Sequence, residues 1–92
     1  MKLLTDPALR AAFDALLDTY AERLVGDASP ETVERVKAWA LYSHIHKTMP
    51  ALTSHWNASH PEGKAAVREL FEEMKAMNER KNANAGAGPT ST

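Results

Sequence analysis

The chain has 92 residues, with 11 Lys+Arg against 12 Asp+Glu, 4 His, 43% hydrophobic residues, 25% charged residues and no Cys. That length fits one small domain and excludes two large ones. A formal charge of −1 supplies no electrostatic footprint for nucleic acid, and the lack of Cys removes disulfide frameworks, thiol catalysis and Cys-based zinc sites together.

At the N-terminus, Met1 to Pro7 carries one Lys and two consecutive leucines before polar residues, without the apolar run of a signal peptide. No stretch approaches the roughly 18 apolar residues needed to span a bilayer. The expectation is a soluble, cytoplasmic protein with no membrane partner.

Thr5-Asp6-Pro7 marks a helix start, with Asp6 able to cap the free amides of the first turn and Pro7 placed where its missing N–H costs nothing. Leu9, Phe13, Leu16, Leu17, Tyr20 and Leu24 follow in helical steps on one stripe, with Arg10, Asp14, Asp18 and Glu22 opposite. Gly26 supplies a left-handed C-terminal cap, so the first predicted helix runs from Asp6 to Val25.

Ser29-Pro30-Glu31 repeats the same grammar and opens a second helix, Pro30 to Thr48. Val33, Val36 and Ala40 lie on one side of it, Leu41, Tyr42, Ile45 and Met49 on another, and Trp39 on a third. A helix apolar over more than half its circumference is buried between neighbours or touches a second chain. Pro50 ends its hydrogen-bond ladder and leaves a short helical turn between Pro50 and Trp56.

Ser59 and Glu62 have the spacing of a capping box, and Ala66, Val67, Leu70, Phe71, Met74 and Met77 line a third helix from His60 to Lys81. From Asn82 the composition is small and polar, which predicts a disordered tail over 82–92 behind a single helical domain over 1–81. The fold class expected is all-α: a small three-helix bundle with a short extra turn after the second helix, homodimerisation being one way to complete its core.

Four histidines, His44, His46, His55 and His60, cluster in the middle of the chain. Ligands on one helix converge when three or four apart, whereas His44 and His46 are two apart and diverge by about 200°. No metal ligand, cofactor-binding residue or catalytic residue is assigned from these spacings. Ser43, Ser54 and Ser59 neighbour histidines only in sequence, so no nucleophile with an oriented base is signalled and the chain reads as a non-enzyme. The start of the third helix, with Glu62, Lys64 and Arg68, is a thin and mixed set for reading DNA, so nucleic acid is disfavoured as a partner.

Protein recognition has the positive evidence. Trp39, Tyr42, Ile45, Met49, Leu52 and Trp56 span the end of the second helix and its proline break, and aromatic residues and Met are enriched at interface cores. The reading is a noncatalytic adaptor, inhibitor or regulator that binds another protein through these six residues and forms a homodimer. A histidine-based metal-binding protein is the alternative, and a helical DNA-binding regulator the third.

Overall fold

Helix starts in this chain are written in proline. The structure, a computed structural model, describes residues 1–86, and over them it is helical throughout: α1 (Lys2–Thr5), α2 (Pro7–Val25), α3 (Pro30–Thr48), α4 (Pro50–Ser59) and α5 (Pro61–Gly86). Pro7, Pro30, Pro50 and Pro61 each take the first position of a helix, where the absent N–H would have had no partner and φ is already helical.

The residue before each proline is pushed out of the helical region, and that makes the corners. Asp6 sits at φ −87°, ψ 117°, and its Oδ1 accepts from the amides of Ala8 (2.9 Å) and Leu9 (3.3 Å). Met49 and His60 adopt nearly the same conformation, φ −141°, ψ 68° and φ −134°, ψ 75°, so α4 is a strut between two like single-residue corners. The turn from α2 to α3 is built otherwise: Gly26 takes φ 79° as a left-handed cap, its amide donating to Glu22 O at 2.9 Å, and Ser29 Oγ accepts from Thr32 N at 3.4 Å.

The buried cluster is small. It comprises Ala21 and Val25 of α2, Val33 and Val36 of α3 and Met74 of α5, with Leu17, Leu24, Trp39, Leu70 and Met77 partly covered around it. Asn78 Nδ2 donates to Leu24 O at 2.6 Å, which satisfies one of the carbonyls left free at the end of α2. Arg35 and Glu73 pair at 3.0 Å between α3 and α5, but both are about half exposed and such pairs contribute roughly 0–1 kcal/mol.

Several features differ from the sequence expectation. α1 precedes the first predicted helix, and α4 is a helix of 10 residues rather than a turn or two. Ser59 closes α4 instead of capping α5, because Pro61 takes the first helical position and the first helical amide of α5, Lys64 N, bonds back to His60 O at 2.9 Å. α5 continues through Gly86, so the first residues assigned to a disordered tail are helical, while 87–92 lie outside the described residues. Among the described residues no helix is long and apolar enough to cross a membrane.

The chain is also spread out. Its Cα radius of gyration is 16.0 Å, against about 12 Å for a compact domain of this length. The six-residue stripe of α2 is only partly covered, with Leu9, Leu16 and Tyr20 exposed.

Asp27 couples the α2–α3 turn to pH. Its Oδ2 accepts from Ser29 Oγ at 2.6 Å, and this bond first, then one from Thr32 and the charge of Arg35, holds its carboxyl below the usual carboxylate range. A depressed folded-state pKa contributes stability that is in place above the unfolded value of about 3.9 and is lost as pH falls through the folded value. Asp27→Asn should therefore lower the thermal midpoint at about pH 7 and leave a smaller gap from the parent at about pH 2.5. Melting curves at the two pH values check this, and an equal gap at both would show that the carboxylate contributes nothing by its charge.

Candidate functional site

The corner at Met49 folds α4 back against the end of α3 and brings four of the six residues singled out in the sequence, Tyr42, Ile45, Leu52 and Trp56, to one place. Tyr42 is the hub. Its ring meets Phe71 of α5 edge-on at 5.9 Å and Trp56 of α4 at 6.4 Å, and stacks beside His46 at 6.3 Å. Its hydroxyl donates to Asn57 Oδ1 at 3.1 Å, so one side chain ties three helices together. Trp39 lies about one turn closer to the buried cluster, tilted against Phe71 at 6.5 Å and half-buried, which makes it a packing residue of the α3–α5 seam.

Between α3 and α4 a recess of about 260 Å³ is lined by Tyr42, Ile45, Leu52, Thr53 and Trp56. Thr53 is buried at its floor, and its hydroxyl is occupied by Pro50 O at 3.1 Å and by His46 Nδ1 at 2.7 Å. Leu52 at 53% and Trp56 at 38% exposure form the open rim, and Met49, 61% exposed, sits at the corner between the two helices. A polar environment is thus withheld from the recess itself, and what it can do chemically is accept an apolar side chain.

Trp56 is seated by its neighbours on the α4–α5 corner. Its ring stacks on His60 at 5.3 Å, and His60 Nδ1 donates to Trp56 O at 3.2 Å. On the other face lies Gly63, where a Cβ would run into the indole, with Cζ2 at 2.9 Å and Cζ3 at 3.0 Å. Glycine in the second half-turn of α5 therefore has a steric reason.

The histidines do not converge. His46 and His60 use Nδ1 within their own corners, His44 and His55 are exposed, and among the described residues no group of three or more His, Asp or Glu side chains is placed to hold a metal ion.

The sequence reading passed over one apolar row. On α2, Leu9, Phe13, Leu16 and Tyr20 were grouped with Leu17 and Leu24 as a single stripe, yet Leu17 and Leu24 pack on the buried cluster while Leu9, Leu16 and Tyr20 face away from it. The signal was present in the 4-3-4 spacing of the outer row, which differs from the arc that holds Ala21 and Val25.

Gly63→Ala tests the seating of Trp56. In a Trp39→Phe background, the added methyl should swing the indole into water and shift its emission to the red. Overall stability should change by no more than about 1 kcal/mol, since Ala favours the helix by about that much over Gly. Unchanged emission would show that Trp56 does not rest on Gly63.

These elements match a known family. A family model described as a protein of unknown function, DUF2573, matches residues 7–84, from the start of α2 into the last turns of α5. The uncharacterized protein YusU of Bacillus subtilis (strain 168) is 44% identical over 71 residues, which cover 77% of this chain and 75% of that protein. No solved structure matches the chain significantly. With both the α2 row and the α3–α4 recess inside the matched span, the chain belongs to the DUF2573 family.

Proposed function

We propose that this chain is a noncatalytic protein-binding regulator, adaptor or inhibitor of the cytoplasm, and that it takes an apolar side chain of its partner into the recess between α3 and α4. The observation that carries the reading is that recess: about 260 Å³, walled by Tyr42, Ile45, Leu52 and Trp56, with the hydroxyls of Tyr42 and Thr53 already bonded. Aromatic and Met side chains around a desolvated pocket are what anchor sites of protein interfaces are made of.

Each of the six residues has a part in this reading. Met49, Leu52 and Trp56 meet the partner, Tyr42 and Ile45 form the α3 wall, and Trp39 holds α3 against α5 behind them. The mechanism is occlusion or scaffolding, in which the partner surface covered by α4 is withheld from, or presented to, a third molecule. Rigidity helps, because a recess fixed by two proline corners loses little freedom on binding.

Leu52→Glu places a charge at the open rim, where it costs the free protein little. Proteins captured by the tagged parent from cell extract at physiological salt, identified by mass spectrometry, should be lost at least tenfold with Leu52→Glu, while helicity by circular dichroism stays the same. An identical set of captured proteins at equal yield with both chains would remove the α3–α4 recess as the binding site.

A further inference from the structure

The outer row of α2 is an apolar helix face that the protomer covers only in part, with Phe13 half-buried and its three companions exposed. At roughly 100° per residue, Leu9, Phe13, Leu16 and Tyr20 fall within an arc of about 60°, adjacent to the arc of Leu17, Ala21, Leu24 and Val25 that meets α3 and α5. Leu16 is 59% exposed, and Leu9 and Tyr20 are each 42% exposed. Three charges of α2 lie on the α3 side instead: Arg10, Asp14 and Asp18 line a cleft shared with Glu34 and Lys37 of α3. Solvated helices carry their charges outward, so this helix is arranged as though its outward face were an inner one.

The row has the alternating four and three spacing of a helix–helix seam. That spacing, 4-3-4, reads the same in both directions, so it is complementary to itself when two copies run antiparallel. A twofold axis between residues 14 and 15 sets Leu9 level with Tyr20 of the other copy and Phe13 level with Leu16, one aromatic ring against one leucine at every layer. The same axis sets Asp6 level with Arg23 of the second copy. Asp6 uses Oδ1 for its cap to Ala8 and Leu9, which leaves Oδ2 for that guanidinium. Ala8, Ala12, Ala15 and Thr19 continue the face, and none of them adds a like charge across the axis.

We infer that a second copy of this chain docks on the outer face of α2, α2 against α2 and antiparallel, through Leu9, Phe13, Leu16 and Tyr20 with Asp6 facing Arg23. This gives the expected homodimer its surface and completes the three-helix arrangement of α2, α3 and α5. It places that surface apart from the α3–α4 recess, so the two assignments stand or fall separately.

The test is sedimentation equilibrium of the parent, Leu16→Glu and Leu52→Glu, joined to cysteine cross-linking in a chain that has no cysteine of its own. The parent and Leu52→Glu should sediment at twice the chain mass, and Leu16→Glu at the chain mass. Should Leu16→Glu fail to fold, the cross-linking still decides, because a mixture of Leu9→Cys and Tyr20→Cys chains should form a disulfide dimer on oxidation that neither forms alone. A monomeric parent, a dimeric Leu16→Glu, or a cross-link in the Leu9→Cys sample by itself would overturn the proposal. The last outcome would mean a parallel pair.

Discussion

The fold depends on how closely three helices approach at Ala21. That side chain is a single methyl and is 0% exposed, so α2 can lie against its neighbours there, with Val25, Val33, Val36 and Met74 filling the space around it. The cluster sits at one end of the arrangement, at the C-terminal end of α2 and the N-terminal end of α3, next to the glycine-capped turn that joins them. Asp27, Ser29, Thr32 and the Asn78 bond to Leu24 O all belong to the same end. Among the described residues no large side chain is fully buried, and a core of five residues is slight for a chain of this length.

At the far end the helices are held in a different way. Tyr42 joins α3, α4 and α5 through Phe71, Trp56 and Asn57, while the N-terminal half of α2 meets α3 only across a cleft of charged side chains. Two surfaces follow from this asymmetry. One is concave, the recess under α4, and suits insertion of an apolar side chain. The other is the convex row on α2, and suits a helix laid along it. The α2 row follows from the position of Ala21: with the close contact at the C-terminal end, Leu9 and Leu16 stay outside the buried cluster and exposed.

Helix boundaries were legible because their causes are local. Asp6 before Pro7, Ser29 before Pro30 and the left-handed Gly26 fix the ends of α2 and α3 by steric and capping rules that need no tertiary contact. α4 was underestimated because its start at Met49 lacks a capping side chain and both its ends are set by the prolines that follow Met49 and His60. Ser59 offered a capping pattern that the geometry of Pro61 overrides. The gathering of Tyr42, Ile45, Leu52 and Trp56 was visible as clustering in sequence. Its shape was not, because it depends on the angle at Met49 and on Phe71 arriving from α5. The same limit applies to α2. Periodicity shows an apolar stripe about 180° wide, and only the positions of α3 and α5 show which half they cover.

If the protomer's own core is slight and the α2 face is closed by a second copy, stability is shared between folding and association. The most direct measurement is the thermal unfolding midpoint, followed by circular dichroism over a hundredfold range of chain concentration. The account predicts a midpoint that climbs steadily with concentration, as it must when the folded state is a dimer. A midpoint that stays fixed over that range would contradict it, because the five-residue core would then hold the fold unaided.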